Sequence, residues 1–86
     1  MKPICVKCKK FYRPKENGYC FTEGMPTSSG EWKPYKAWMG DLWECPECGH
    51  QLIAGVGFEP ISEHYRPDFE AARKHFRADQ LRIDDC

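Results

Sequence analysis

The 86-residue chain has 13 basic and 13 acidic residues, a formal net charge of zero, and 41% hydrophobic residues. A neutral balance argues against a protein that coats nucleic acid electrostatically, and the apolar runs are far shorter than the roughly 20 residues of a membrane-spanning helix. A chain of this length buries only about 60 to 65% of its unfolded surface, so its apolar core alone gives little net stability. We expect a further stabilising element and, because the first residues lack a secretion signal, a cytoplasmic protein.

The first predicted element is a metal-binding turn at the start of the chain. Cys5 and Cys8 form a Cys-x-x-Cys pair, and a tight turn between positions i and i+3 lets two sulfur atoms converge on one ion. Lys9 follows the pair, where a glycine would suit the turn better. Lys7, Lys9 and Lys10 nevertheless supply positive charge that stabilises thiolates.

A β-hairpin is predicted immediately after this turn. Two short aromatic runs, 9–13 and 18–22, flank Pro14 and the Asn17-Gly18 pair, and Asn-Gly favours the positive φ values of a tight turn. Residues 23–30 are rich in Gly, Pro and Ser, which predicts a flexible surface loop.

The next segment is aromatic, and Pro34 and Gly40 argue against a regular helix in it. Trp and Tyr are frequent anchors of protein interfaces, although aromatic side chains in a small metal-binding domain often form its core. The predicted partner-binding residues are Trp32, Tyr35 and Trp38.

A second metal-binding turn is predicted at Cys45-Pro46-Glu47-Cys48. Residues 41–45 and 51–58 flank it and predict two antiparallel strands. Pro46 pre-sets the turn, and Gly49 allows a positive φ that directs backbone N–H groups toward the thiolates.

The last predicted element is an amphipathic C-terminal helix at about 67–83. Its apolar positions recur at steps of three, four and seven residues, namely Phe69, Ala72, Phe76 and Ile83. Glu70 and Lys74 are spaced for an i, i+4 ion pair that supports a helix. We expect the phenylalanine stripe to pack on the sheet or on a partner.

The two cysteine pairs together supply four thiolates, Cys5, Cys8, Cys45 and Cys48, which predict one tetrahedral Zn²⁺. Iron binds four thiolates as well, and a transient redox pair, disulfides or inert cysteines are the other interpretations. The 36 residues between the pairs exceed the common spacing and imply an inserted loop. His50 is expected beside the site rather than on the metal, and no role is predicted for Cys20 or Cys86.

The N-terminal segment is basic. Residues 1–16 contain six basic residues and one acidic residue, interleaved with Phe11 and Tyr12. Basic side chains contact phosphates and aromatic rings stack on bases, so these residues are candidates for nucleic-acid binding. A solvated surface that flanks the thiolates explains the same charges. The candidate residues are Lys7, Lys9, Lys10, Arg13 and Lys15.

The motif Trp43-x-Cys45-Pro46-x-Cys48-Gly49, with Cys5-x-x-Cys8 and Tyr12, resembles the zinc-ribbon and rubredoxin-like class, in which two cysteine-bearing β-turns hold one metal ion. Lys9 and the longer spacing between the pairs differ from the rubredoxin pattern. Residues 32–50 and 61–69 are similar to small uncharacterised proteins encoded by bacteriophages. That resemblance implies action in a bacterial cytoplasm on a host or phage macromolecule.

We therefore predict a single domain over residues 1–86: a small metal-stabilised β-rich domain of zinc-ribbon or rubredoxin-like type, with a β core at 1–60 and a C-terminal α-helix. The predicted function is a non-enzymatic zinc-binding module that binds a host or phage protein. A nucleic-acid-binding zinc ribbon and a rubredoxin-like iron electron-transfer protein are the alternatives. Catalysis is not expected, because four cysteines would fill every position on the metal, and neither a membrane nor a small-molecule substrate is predicted.

Overall fold

The computed structural model describes residues 2–84, and the chain divides into two compact units. Unit 1 comprises Met1–Tyr19 and Gly40–Val56, and unit 2 comprises Cys20–Met39 and Gly57–Cys86. The elements in chain order are β1 (Ile4–Cys5), β2 (Lys10–Phe11), β3 (Arg13–Pro26), β4 (Trp32–Glu44), β5 (Gln51–Ala54), β6 (Ser62–Glu63), α1 (Phe69–His75), a 3₁₀ helix (Ala78–Gln80) and β7 (Arg82–Asp84). The residue ranges of β3 and β4 include parts of both units.

Unit 1 contains two short antiparallel ladders. β1 pairs with β2 and places Cys5 opposite Lys10. β4 pairs with β5 over residues 41–44 and 51–54, which confirms the predicted antiparallel strands around the second cysteine pair. The second strand is shorter than predicted, because Gly55 takes a φ of +73° directly after it.

Unit 2 has an apolar core formed by residues from two strands and both helices. Its buried members are Cys20, Ala37, Phe69 and Ala78, and Ile61 packs against them. β6 pairs with β4, and β7 pairs in parallel with β3 over residues 22–24 and 82–84. This mixed arrangement gives unit 2 a hydrophobic core that contains none of the four paired cysteines.

The prediction of a hairpin at residues 9–22 is wrong. β3 runs through Pro14 and the Asn17-Gly18 pair as one strand and ends only at Pro26. Gly18 does take a left-handed φ of 71°, and its N–H donates to the Asp41 carboxylate at 3.2 Å. The Asn-Gly signal therefore marks a local irregularity within a strand, as glycine does at β-bulges, and not a chain reversal.

The reversal occurs within the segment predicted as a loop. Residues 27–31 form the connection between β3 and β4, so of the predicted loop 23–30 only residues 27–30 lie outside a strand. The Thr27 N–H donates to the Glu31 carbonyl at 2.7 Å, and Gly30 adopts a φ of 86°. The aromatic segment that follows is β4, an extended strand that tolerates Pro34 and Gly40.

The C-terminal helix is also shorter than predicted, because α1 ends at His75 and Arg77 adopts a left-handed φ of 56°. Buried Arg73 binds Glu70 at 2.9 Å and also pairs with Asp79 in the 3₁₀ helix. Glu70 therefore pairs with Arg73 and not, as predicted, with Lys74.

The remaining C-terminal residues attach to β3 instead of extending the helix. The Thr22 hydroxyl donates to the Ala78 carbonyl at 2.8 Å, and the Gln80 amide donates to the Cys20 carbonyl at 3.1 Å. Of the predicted stripe, Phe69 is buried, Phe76 is 40% exposed and Ile83 belongs to β7. The end of this segment therefore pairs with β3, although its apolar residues are spaced as in a helix.

Candidate metal centre

The structure brings together the four cysteines of the two Cys-x-x-Cys pairs. The Sγ atoms of Cys5, Cys8, Cys45 and Cys48 all lie within 4.8 Å of one another, and those of Cys5 and Cys48 are 4.0 Å apart. A tetrahedral ion with Zn–S bonds of about 2.3 Å requires sulfur atoms about 3.8 Å apart. The donor set therefore fits one tetrahedral metal ion, and all four donors belong to unit 1.

The two cysteine turns have the same backbone geometry. The Lys9 N–H donates to the Cys5 carbonyl at 2.7 Å, and the Gly49 N–H donates to the Cys45 carbonyl at 3.1 Å. Lys9 and Gly49 have φ values of 58° and 78°, so the residue after the second cysteine is left-handed in both turns. The lysine at this position does not change the turn, although a side chain is strained there.

Each turn is held by a strand pair. Cys5 is the last residue of β1 and pairs with Lys10 in β2, so the first turn closes the β1–β2 ladder. The Cys45 N–H donates to the His50 carbonyl at 2.8 Å and continues the β4–β5 pairing into the second turn. Because the ladders hold both ends of each turn, they set the backbone positions from which the cysteine side chains extend.

Substitution of Lys9 by glycine is expected to stabilise the metal-bound protein. Lys9 and Arg77 are the non-glycine residues with positive φ in residues 2–84. Glycine relieves the strain of the left-handed conformation but loses more entropy on folding than lysine does. The net increase in the free energy of unfolding for Lys9→Gly is about 0.5 to 1 kcal/mol. The expected rise in Tm is a few degrees by thermal unfolding with saturating zinc. Lys7→Gly, in the same turn, is the control, and an equal gain from it would contradict the explanation.

The thiols of the cluster have unequal proton affinities. Backbone N–H groups, first that of Cys48 and then that of Glu47, lower the pKa of Cys45 to about 6 against the opposing effect of desolvation. Desolvation, with the neighbouring thiols, raises the pKa of Cys8 to about 12. The backbone N–H groups thus stabilise the Cys45 thiolate, as predicted for this turn.

Zinc affinity is expected to increase with pH as a result. Metal binding displaces the protons that the thiols still carry, and Cys8 with a pKa of about 12 keeps its proton throughout pH 6 to 8. Each displaced proton contributes about a tenfold gain in apparent affinity per pH unit. Competition with a calibrated chelator at pH 7 and pH 8 should therefore show at least a tenfold difference, and equal affinities would contradict the assignment.

Tyr12 and His50 lie beside the cluster. Their hydroxyl and Nδ1 atoms are joined by a hydrogen bond of 2.8 Å, and both residues line an open pocket together with Cys5 and Cys48. Burial raises the pKa of the Tyr12 hydroxyl. The sequence predicts His50 beside the site but does not predict its contact with Tyr12, because the two residues are 38 positions apart.

The aromatic residues predicted to bind a partner have contacts within unit 2. Trp38 Nε1 donates to the Glu23 carboxylate at 2.9 Å, and the Arg82 guanidinium lies 5.0 Å from the Trp32 ring centroid. Tyr35 stacks on the imidazole of His64 with a centroid distance of 4.3 Å. Each of the three side chains thus has a contact within unit 2, although the buried Nε1 of Trp32 has no hydrogen-bond partner in the part of the chain that the structure describes and Tyr35 is 36% exposed. Their role in an interface stays a prediction.

The predicted basic residues are exposed on unit 1. Lys10 and Lys15 form long ion pairs with Glu47 and Glu44, at 3.8 and 3.4 Å. Lys7, Lys9 and Arg13 are exposed as well. Cys20, by contrast, is buried in unit 2, and Cys86 lies outside the described residues.

Among the described residues, no helix has both the length and the apolar character that crossing a bilayer requires. Comparisons of the chain with protein-family models, with curated proteins and with solved structures found no match. The four-cysteine cluster itself fits a zinc-ribbon-like metal site, and the protein that contains it is small and β-rich with a C-terminal helix.

Proposed function

We propose that this protein is a non-enzymatic zinc-binding module in which one structural Zn²⁺ is held by Cys5, Cys8, Cys45 and Cys48. The observation that carries the proposal is the convergence of four sulfur atoms within 4.8 Å. Four thiolates complete a tetrahedral shell and leave no position for a substrate or reactive water, which is the arrangement of structural zinc sites. Bound zinc would offset half of the negative charge of the four thiolates and hold the two turns together.

Native mass spectrometry of protein purified without added metal tests this proposal. The expected result is one zinc per chain and a colourless protein. A chain that carries iron and absorbs visible light would instead support electron transfer, because four thiolates accept either metal. A chain that is folded and free of metal would overturn the proposal.

We further propose that the module acts by binding a macromolecule, and that its setting is a bacterial cell infected by a phage. The resemblance of residues 32–50 and 61–69 to phage-encoded proteins supports the setting. A structural metal site supplies no chemistry of its own, which favours a binding role. The internal contacts of Trp32 and Trp38 make these two side chains less available to a protein partner.

A further inference from the structure

We propose that unit 1 binds single-stranded nucleic acid on a surface centred on Phe11, an inference that rests on the proposed zinc module because zinc would hold this unit in shape. The surface, called here the Phe11 surface, is an open depression next to the first cysteine turn. Its lining includes Lys2, Lys10, Phe11, Arg13, Trp43 and Pro46.

Phe11 is an aromatic ring presented to solvent on an ordered strand. Phe11 is 57% exposed, whereas the next residue, Tyr12, is buried. β2 pairs with β1, where Phe11 lies opposite Ile4, itself 56% exposed. The ladder therefore fixes the backbone that carries the ring, and a fixed exposed ring is a platform on which a base can stack.

Positive charge surrounds this ring. The Lys2 ammonium lies 5.8 Å from the Phe11 centroid, and Lys10 and Arg13 line the same depression. Lys10 pairs with Glu47 at 3.8 Å, but both side chains are more than half exposed, and such a pair contributes little. Because the Lys2 ammonium lies over one face of the ring, a base would stack on the other face or displace Lys2, and Lys10 and Arg13 would contact its phosphates.

Three basic residues and no acidic residue among positions 2–84 line the Phe11 surface, although the chain as a whole is neutral. Residues 1–16 contain six of the 13 basic residues and only one of the 13 acidic residues. Electrostatic attraction acts over about 8 to 10 Å at physiological ionic strength, so a ligand on this surface experiences the local charge rather than the net charge. A polyanion is the partner that this charge attracts.

The exposed ring selects a single strand over a duplex. In a duplex the faces of the bases are already stacked on their neighbours, whereas an unpaired strand can place a base against Phe11. A purely basic surface would bind both forms through phosphates. Preference for single strands together with dependence on Phe11 therefore distinguishes this proposal from simple charge attraction.

Fluorescence anisotropy of the zinc-loaded full chain with labelled dT20, rU20 and a 20-bp duplex tests the proposal. We expect binding to the single strands that is stronger than to the duplex. Three phosphate contacts give a slope near −2 in log affinity against log salt, or roughly a twentyfold loss between 50 and 200 mM salt. The two single strands show whether DNA or RNA is preferred.

Variants at two exposed phenylalanines provide the decisive comparison. Phe11→Ala should weaken binding about tenfold, and Phe11→Trp should retain it, because stacking contributes through the ring. Phe58→Ala, at a fully exposed residue of unit 2, should leave binding unchanged. Equal affinity of the Phe11→Ala and unsubstituted proteins, equal binding to duplex, or no binding at 50 mM salt would overturn the proposal.

The zinc content of every sample separates this inference from the proposed function. A chain with one bound zinc that binds no single strand leaves the zinc module intact and removes only the nucleic-acid proposal. A folded chain without zinc removes the proposed function whatever the oligonucleotides show. The near-UV circular dichroism of each variant confirms that it is folded.

Discussion

Cys45→Ser is expected to reduce zinc affinity by about a hundredfold and to destabilise unit 1. Cys45 is the most buried of the four candidate ligands, with 1% of its surface exposed. Structural zinc contributes roughly 10 to 16 kcal/mol in small metal domains, or about 3 kcal/mol for each of four ligands. Competition with a chelator measures the affinity, and hydrogen exchange of the Lys9 and Gly49 amides reports on both turns.

The composition of the unit 1 core explains why this effect should be large. Its buried members are Cys5, Tyr12 and Cys45, against which Cys8, Trp43 and Leu52 pack. Two of those three buried residues are candidate ligands, so without metal this core consists largely of thiols that repel one another once ionised. Cys20→Ala is the matched control, since Cys20 is buried in unit 2. Unchanged zinc affinity in Cys45→Ser would contradict the assignment of this ligand.

Phe69→Ala is expected to lower the free energy of unfolding by about 3 to 5 kcal/mol. Phe69 is 5% exposed, and the other buried members of the unit 2 core, Cys20, Ala37 and Ala78, are small. Removal of the ring therefore leaves a cavity that its neighbours are too short to fill. The ring also lies 5.5 Å from the buried Arg73 guanidinium, which would lose that contact. Chemical unfolding with saturating zinc measures the change.

Phe58→Ala is the matched control for this substitution. Both phenylalanines belong to unit 2, but Phe58 is fully exposed, and substitutions at such positions usually change stability by less than about 0.5 kcal/mol. Similar losses from the two substitutions would show that the core does not depend on Phe69. Zinc stoichiometry should stay at one in both variants, because neither residue is a candidate ligand.

The parts of the structure that the sequence predicted well are those set by local rules. A Cys-x-x-Cys turn is determined by four or five consecutive residues, and the pairing of 41–44 with 51–54 follows from the short turn between them. The sequence predicts that the two turns meet because one tetrahedral metal ion takes four thiolate ligands. This prediction does not depend on the fold of the residues between the two pairs.

The parts that were mispredicted depend on contacts between distant residues. The Asn17-Gly18 pair predicts a hairpin locally, but Gly18 donates to Asp41 and β3 continues beside β4. Ile83 fits the period of the predicted helix, yet residues 82–84 pair with β3 after Arg77 adopts a left-handed φ. In both places a strand partner far along the chain outweighs the local preference, and no pattern within the segment contains that information.

Zinc K-edge X-ray absorption spectroscopy of the zinc-loaded chain tests the central claim, that four sulfur atoms hold one ion. The expected spectrum shows a single shell of four sulfur atoms at about 2.3 Å from the zinc. A shell with nitrogen or oxygen donors, or with fewer than four sulfur atoms, would contradict it.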